Sequence, residues 1–280
     1  MSTAMSTAMK CEYRDTILKA TNVSLILGKN VILRDLNVEI RDIYRPGLIT
    51  GQVVGVLGPS GIGKTRLFRV LSGIDEPNTG SVLIGSDAKP VKRGMVGVIA
   101  QNYPLFEHRT ILGNLQLAAR CSGLCRKDAV EKAVAFLDRF GLADRGDLYP
   151  CQLSGGQRQR VAIAQQFLCS EHFVLMDEPF SGLDLIAVDK VCKMISEVAN
   201  ADELNTVIVV THDIAAAVAV SDTIWLLGRD RDAQGNIIPG AKVKATYNLI
   251  ERGLTWTPGI TETTGFIDVV REIRGVFPSL

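Results

Sequence analysis

The chain has 280 residues, of which 46% are hydrophobic and 22% are charged, and its net charge is +1. This composition is typical of a folded globular protein and argues against wholesale disorder. The near-neutral charge provides no broad basic field, which disfavours nucleic acid as the main partner. No apolar run reaches the roughly 18 residues that a spanning helix needs, so we expect any membrane part to belong to another chain.

The N-terminus and the cysteines bear on the compartment. The first ten residues, MSTAMSTAMK, are polar and repetitive and lack the apolar segment of a secretory signal. We interpret residues 1–10 as a disordered lead-in. Six cysteines in a chain of this length fit reduced thiols in the cytoplasm better than disulfides. A metal held by Cys121, Cys125 and His108 is the weaker interpretation, because their spacing matches no standard zinc pattern.

The N-terminal half is predicted to be rich in strands. Residues 16–40 alternate apolar and polar side chains around Gly28 and Lys29, which is typical of an antiparallel hairpin. Residues 52–57 (QVVGVL) form a nearly all-apolar run, as expected of a buried strand. A glycine-rich turn then leads into a helix predicted over 64–71. Further strands are predicted over 82–84 and 95–100.

The pattern changes at residue 110. Residues 110–140 carry apolar side chains at helical spacing, with Asp128 and Glu131 as a predicted helix cap, and they indicate a helical insertion. Strands and helices then alternate, which favours a mainly parallel α/β sheet. The strands are predicted over 173–176, 206–210 and 223–227, and the helices over 185–199 and 214–220. From about 237 we expect a hairpin and a last helix over 263–273.

Residues 58–65, GPSGIGKT, match the phosphate-binding pattern G-x-x-x-x-G-K-[ST]. Glycines let the backbone turn tightly and bring N–H groups against phosphate oxygens. The lysine would reach the β- and γ-phosphates, and the threonine hydroxyl would bind Mg²⁺. A chance glycine-rich turn is the weaker interpretation, because a strand precedes the motif and a helix follows it. The candidate phosphate-binding residues are Gly58, Pro59, Ser60, Gly61, Ile62, Gly63, Lys64, Thr65 and Arg66.

Two acidic residues follow the predicted strand 173–176. A carboxylate at the C-terminal end of a parallel strand lies in the crevice where ligands bind. Asp177 is therefore a candidate Mg²⁺ ligand, and Glu178 could accept a proton from an attacking water or orient it. Taken alone, a solvated acidic turn before Pro179 would be the better interpretation. The phosphate-binding pattern favours the catalytic one.

Residues 153–157, LSGGQ, predict a second anion-binding helix start. Ser154 and Gln157 form a capping box at the beginning of a helix that extends to about residue 168. Gly155 and Gly156 would leave the first backbone N–H groups uncovered. An ordinary capped helix explains the serine and the glutamine but not the paired glycines.

With these motifs in order, the sequence from about 16 to 227 resembles the ATP-binding-cassette (ABC) family, whose signature is LSGGQ. The resemblance implies an α/β fold: a P-loop NTPase core of the RecA type, an antiparallel β subdomain and a helical insertion subdomain. It implies a single nucleotide-binding domain over 11–280, with the helical subdomain at about 104–165.

The resemblance also implies roles for further residues. Gln101 lies at the position of the family's Q-loop glutamine, Asp184 in its D-loop and His212 at its switch histidine. Gln101 would join Thr65 and Asp177 at Mg²⁺, and Gln101, Glu178 and His212 would be catalytic. ATP would lie between the phosphate loop of one copy and residues 154–157 of a second copy, in a head-to-tail homodimer. Asp184 would also face that nucleotide.

Two features depart from the family pattern. The family usually stacks adenine on an aromatic residue before the glycine of the first hairpin, where this chain has Leu27. Base stacking is then either weaker in this chain or supplied elsewhere, with Tyr13 as a candidate. The connection over 42–51 (DIYRPGLITG) is also longer than usual, and the sequence alone gives it no role.

The amino-acid sequence of residues 101–110 and 177–184 is similar to that of bacterial importer ATPases. This implies an ATPase that powers a separate membrane permease from the cytoplasm, at the inner face of the cell membrane. The segment 103–109, which begins with Tyr103 and ends with Arg109, would dock the permease. Leu105 and Phe106 would either anchor this contact or pack inside the helical subdomain.

The transported solute and the assembly remain open at this stage. Residues 211–229 resemble importers of nitrate, sulfonate and taurine, which points to a small anionic solute. The alternatives are an ABC ATPase that serves a non-membrane assembly and a nucleotide-binding regulator with little turnover.

Overall fold

The computed structural model describes residues 11–46, 51–99, 103–170, 172–200, 202–255 and 259–280. The strands are β1 (Glu12–Leu27), β2 (Asn30–Tyr44), β3 (Gln52–Leu57), β4 (Thr79–Ile84), β5 (Lys89–Pro90), β6 (Gly97–Ile99), β7 (Phe173–Asp177), β8 (Thr206–Thr211), β9 (Thr223–Gly228) and β10 (Lys242–Asn248). The α-helices are α1 (Lys64–Leu71), α2 (Ile111–Cys121), α3 (Arg126–Arg139), α4 (Gly155–Cys169), α5 (Leu185–Ala199), α6 (Ile214–Val220) and α7 (Thr264–Val276). Residues 1–10, predicted to be a disordered lead-in, lie outside the described ranges.

Four strands form an antiparallel sheet in the order β2-β1-β4-β5. The predicted hairpin over 16–40 is confirmed and is longer at both ends, with its turn at Gly28 and Lys29. Gly28 has φ +62°, a conformation that glycine adopts without steric cost. The apolar side of this hairpin packs on the second sheet.

The second sheet has six strands in the order β10-β9-β3-β8-β7-β6. All neighbouring pairs are parallel except β9 and β10. Its central strands are buried on both faces. In β8, Val207 and Val209 pack with the helices, whereas Ile208 and Val210 pack with the antiparallel sheet. This two-sided burial explains the nearly all-apolar strand patterns in the sequence.

The chain segment between the neighbouring strands β6 and β7 contains α2, α3 and α4. The predicted helices are present, but the predicted cap of Asp128 and Glu131 is wrong. The helix α3 begins at Arg126, and the Cys125 sulfur accepts the Asp128 N–H at 3.5 Å. Asp128 therefore lies within the first turn, because the helix starts earlier than the apolar pattern indicates.

The C-terminal ends of β3, β7 and β8 lie at one edge of the six-stranded sheet. Leu57 pairs with Thr211, and Asp177 pairs with Val210. The residues that follow these strands are therefore neighbours. Within the described ranges, each helix is too short or too polar to cross a bilayer. The predicted α/β fold, with its antiparallel sheet and inserted helices, is confirmed.

Candidate active site

The phosphate loop connects β3 to α1 and depends on two glycines. Gly63, which caps α1, has φ +112°, and an added Cβ would lie 3.2 Å from the Ile32 side chain. A Cβ on Gly58 would lie 2.9 Å from the Leu227 carbonyl oxygen. The chain's own packing therefore requires both glycines. The loop leads directly into α1, whose positive dipole end and N-terminal amides suit an anion.

Lys64 is buried at the beginning of α1. Its ammonium donates to the carbonyl oxygens of Gly58 (2.8 Å) and Pro59 (3.2 Å) and lies 3.8 Å from Glu178 Oε1. Burial lowers the pKa of Lys64, while the carboxylates of Glu178 and Asp177 raise it. The cation thus lies between the phosphate loop and the acidic pair.

Thr65 and Asp177 form an oxygen-rich pair beside Lys64. The Thr65 hydroxyl donates to Asp177 Oδ2 at 3.2 Å. Burial raises the pKa of Asp177, and the Thr65 hydrogen bond opposes that rise. Asp177 Oδ1 is buried and has no hydrogen-bond partner among the described residues. Hydroxyl and carboxylate oxygens are the ligands that Mg²⁺ prefers, so these two residues fit such an ion. Gln101, the third predicted ligand, lies outside the described residues.

Glu178 is fixed from several directions. Its backbone N–H donates to the Val210 carbonyl oxygen (2.8 Å), and its φ is +50°, an uncommon value for a residue other than glycine. Its Oε2 accepts from the Thr211 hydroxyl (3.1 Å) and lies 2.9 Å from Nδ1 of His212. The His212 side chain is 55% exposed. A held carboxylate next to an accessible imidazole can accept or orient a proton.

The capping box at the start of α4 is present. Ser154 N–H donates to Gln157 Oε1 (2.9 Å), and Gln157 N–H donates to Ser154 Oγ (3.4 Å). Gly155 and Gly156 are exposed, and a Cβ added at either would meet nothing within 4 Å. Nothing in the described chain therefore requires glycine there, in contrast to Gly63.

A groove of about 700 Å³ separates α4 from α5. It is lined by residues 154–157 on one side and by Glu178, Ser181 and Leu183 on the other. Among the described residues that line it, none belongs to the phosphate loop over 58–65. The two predicted anion-binding helix starts therefore do not share this groove within one chain.

The remaining predicted site residues differ in accessibility. Ser60 and Gly61 are exposed, whereas Ile62 is buried in the core and offers only its backbone. The Arg66 guanidinium lies 3.3 Å from the Asp75 carboxylate. Asp184 is exposed and caps α5, accepting the Ala187 N–H at 2.8 Å.

The segment 103–109 separates its two predicted anchors. Leu105 is half-buried against the core, whereas Phe106 is 45% exposed and lies edge-on to the His108 ring. Sequence reasoning missed Asn114, which is fully buried on α2. Its Oδ1 accepts the Phe106 N–H (2.8 Å), and its Nδ2 donates to the carbonyl oxygens of Phe106 (3.1 Å), Arg109 (3.3 Å) and Thr110 (3.0 Å). The available signal was an asparagine inside the mostly apolar stretch ILGNLQL.

Tyr13 cannot replace the missing adenine-stacking aromatic. It pairs with Ile43, whereas the β2 residue beside the phosphate loop is Ile32. These two β2 positions are about 11 residues apart, or roughly 36 Å. Tyr13 instead accepts a hydrogen bond from Asn248 at 2.7 Å. This interpretation of Tyr13 is therefore wrong.

A phosphate loop at the edge of a parallel sheet, beside an acidic pair, is the arrangement of a P-loop nucleoside triphosphatase. The chain matches the family described as ABC transporter over residues 47–181. It is 37% identical over 224 residues to the L-cystine import ATP-binding protein TcyC of Bacillus subtilis, covering 74% of this chain and 85% of that protein. It is 38% identical over 216 residues to the Fe(3+) ions import ATP-binding protein FbpC of Rhizobium etli, covering 76% of this chain and 59% of that protein.

Solved structures agree with the fold. The chain is similar to cbiO1 of Clostridium perfringens, part of an ABC transporter complex, with a TM-score of 0.71, 24% identity and coverage of 95% and 97% of the two chains. It is also similar to the dimeric ATP-binding cassette MJ0796 bound to ADP and Pi, with a TM-score of 0.63, 25% identity and coverage of 83% and 99%.

The chain belongs to the ATP-binding family of ABC transporters. It is an ATPase of the ABC type, and proteins of this type bind ATP. Neither curated relative above is named for nitrate, sulfonate or taurine, so that subgroup stays a prediction.

Proposed function

We propose that this chain is the ATP-hydrolysing subunit of an importer and powers the movement of a small solute through a separate membrane permease. The clustering of Lys64, Thr65, Asp177, Glu178 and His212 at one sheet edge carries the hydrolytic part. The importer part is supported by relatives named as import ATP-binding proteins. Such a subunit works in the cytoplasm, peripherally on the inner face of the cell membrane.

In the proposed site, loop 58–66 binds the phosphates of ATP and the Lys64 ammonium contacts the β- and γ-phosphates. Mg²⁺ would be held by Thr65, Asp177 and Gln101, and it would neutralise charge on the β- and γ-phosphate oxygens. The unpaired Asp177 Oδ1 supports this assignment, because a nearby cation compensates the cost of burying the carboxylate.

Glu178 is the proposed general base. Its carboxylate accepts the proton of the water that attacks the γ-phosphate, while Thr211 and His212 hold its Oε2 in place. The exposed His212 ring is the candidate for contact with the γ-phosphate. Most of the acceleration would come from positioning and from charge stabilisation of the transition state.

A second copy of the chain would complete the site. Residues 154–157 of that copy, with Asp184 nearby, would cover the phosphates bound to the first. The exposed and sterically unconstrained Gly155 and Gly156 support this arrangement. A homodimer of this kind makes each helix start at α4 part of the other copy's site.

We infer the domain arrangement in the same way. Residues 11–280 would form one nucleotide-binding domain with a helical subdomain at about 104–165. The permease would dock on 103–109, with exposed Phe106 as the apolar anchor. The four hydrogen bonds of Asn114 support a preformed docking segment, since they fix its backbone before a partner arrives.

Glu178→Gln tests the hydrolytic assignment. The amide keeps an acceptor for Thr211 but cannot take up a proton. We expect ATP affinity within a few-fold of wild type, an ATP-dependent dimer in size-exclusion chromatography, and turnover reduced by about 100-fold or more. Glu131→Gln, an exposed change on α3, is the matched control and should keep full turnover.

Normal hydrolysis by Glu178→Gln would refute Glu178 as the base. The importer assignment has a separate measurement, which is isolation of the native complex and identification of an integral membrane protein in it. A native complex that holds this chain without any membrane protein would contradict the importer assignment and leave the ATPase intact.

A further inference from the structure

Tyr103 is held in a backbone conformation that its surroundings must maintain. Its φ is +44°, which is a rare value for a bulky residue. The side chain is half-buried against the core of the helical region. Strain of this kind persists only where neighbouring groups over-determine the geometry, and it often marks a functional position.

The Tyr103 hydroxyl contacts two other elements. It accepts a hydrogen bond from Nε2 of Gln159 at 2.7 Å, and it lies 3.4 Å from the Pro179 carbonyl oxygen, to which it donates. Gln159 is a buried residue of α4, the helix that begins after Ser154. Burial raises the pKa of Tyr103 to about 12, so the phenol keeps its proton near neutral pH.

Pro179 directly follows Glu178 in the chain. The Glu178 N–H is fixed to Val210 of β8, and the Glu178 carbonyl oxygen accepts the Ser181 N–H at 3.2 Å. Tyr103 contacts this backbone from the opposite direction, that of the helical region. The carboxylate of Glu178 therefore depends on a backbone held by β8 on one side and by a tyrosine hydroxyl on the other.

We propose that Tyr103 is a positioning residue for ATP hydrolysis, whose hydroxyl joins segment 103–109 and helix α4 to the backbone after Glu178. A displacement of segment 103–109 then shifts the Glu178 carboxylate relative to the attacking water. The Glu107–Arg158 pair (2.6 Å) makes a second contact between the segment and α4. It is exposed, and such surface pairs contribute little. The inference rests on the role proposed for Glu178.

Tyr103→Phe tests this link in the full-length chain, because it removes the hydroxyl and keeps the ring. We expect kcat to fall about three- to tenfold, the range typical of lost neutral hydrogen bonds. KM for ATP should stay within about twofold and Tm within a few degrees, because the phosphate loop is untouched. Tyr44→Phe is the control: that ring is half-buried on β2 and stacks with Arg14. It should leave kcat unchanged.

Gln159→Leu removes the donor that holds the Tyr103 hydroxyl and should also lower kcat, by no more than Tyr103→Phe does. The double variant should be no slower than Tyr103→Phe alone, since that change already removes the hydrogen bond from Gln159. Unchanged kcat in Tyr103→Phe, or additive losses in the double variant, would overturn the proposal. If Glu178→Gln hydrolyses normally, the proposed base is wrong. If it is inactive while Tyr103→Phe matches wild type, only the Tyr103 link is wrong.

Discussion

At the residue scale, burial and charge oppose each other within the candidate site. Burial lowers the pKa of Lys64, and two carboxylates raise it again. Burial raises the pKa of Asp177, and the Thr65 hydroxyl lowers it. An added phosphate or cation acts strongly on such groups, because water screens them less than it screens surface charges.

Lys64→Ala should weaken ATP binding. The ammonium is the buried cation of the phosphate loop, and charge-assisted hydrogen bonds of this kind contribute about 1.5–3 kcal/mol. We therefore expect an ATP Kd about 10- to 100-fold higher, measured by titration with a fluorescent nucleotide. Lys127→Ala, an exposed change on α3, should leave Kd unchanged. Equal affinities in wild type and Lys64→Ala would remove Lys64 from the site.

Sequence analysis named candidate catalytic residues but missed the residues that hold the surrounding backbone. Lys64, Asp177 and Glu178 are predictable because strand ends and glycine spacing are local signals. Asn114 and Tyr103 have no such signal, since their roles depend on hydrogen bonds between distant segments. Tyr13 was wrongly considered for adenine stacking for the same reason, because only the strand register shows that it lies far from the phosphate loop.

At the scale of elements, two helix starts differ in why they contain glycine. The start of α1 needs Gly63 for its own backbone, whereas the start of α4 would tolerate a Cβ at Gly155 and at Gly156. Glycines without an internal steric reason are consistent with close approach by another molecule. Both helix starts present amides to solvent, and both suit phosphate oxygens.

Ser154→Arg should block hydrolysis while leaving ATP binding intact. The new side chain would occupy the partner's site, but the phosphate loop of the same chain is unchanged. Loss of the cap should cost about 1 kcal/mol of stability. We expect unchanged nucleotide Kd and turnover lowered about tenfold or more, an obstruction comparable to losing a catalytic group.

Thr263→Arg provides the control for that experiment. Thr263 caps α7 through the Phe266 N–H, so this change removes a comparable cap and adds the same side chain elsewhere. It should lower stability and preserve turnover. Loss of ATP binding in Ser154→Arg would count against a site shared by two copies, because it would place residues 154–157 beside nucleotide in a single chain.

The predicted boundaries of an element match the structure where a uniform apolar run meets a clear turn signal. β3 and α1 begin and end as predicted, because an all-apolar run meets a glycine-rich turn there. The hairpin of β1 and β2 extends beyond 16–40, and its first four residues, 12–15, are all exposed and give no apolar alternation. The cap of α3 was missed because cysteine is an unusual capping residue.

At the scale of the whole molecule, a buried ion pair between Arg45 and Asp222 links the end of the antiparallel sheet's β2 to the six-stranded sheet. The Arg45 guanidinium lies 3.6 Å from Asp222 Oδ1, and Asp222 Oδ2 accepts the Val53 N–H at 2.7 Å. Arg45 follows β2, Asp222 precedes β9, and Val53 lies in β3. Arg45 is the described residue of the connection 42–51 that makes this contact.

Arg45→Met should destabilise the protein in a pH-dependent way. Burial already raises the pKa of Asp222 to about 7, and the Arg45 charge opposes that rise. An unfolded carboxyl has a pKa near 3.9. Between that pH and about pH 7, the folded protein holds one proton more than the unfolded chain. The contribution of Asp222 to the free energy of unfolding therefore falls as pH rises through this range. Removing Arg45 raises the pKa of Asp222 further. The buried carboxylate is then more costly at pH 8, and the loss of Tm should be larger at pH 8 than at pH 5.5.

The size of the expected stability loss and the control variant both follow from the Arg45–Asp222 pair. Removing one partner of a buried ion pair costs about 3–5 kcal/mol, because the other charge stays buried without compensation. Arg45→Met combined with Asp222→Asn removes both charges and keeps an acceptor for the Val53 N–H, so its Tm should show little difference between the two pH values. An equal loss of Tm at pH 5.5 and pH 8 in Arg45→Met alone would show that Asp222 does not titrate there. The junction would then owe its stability to packing.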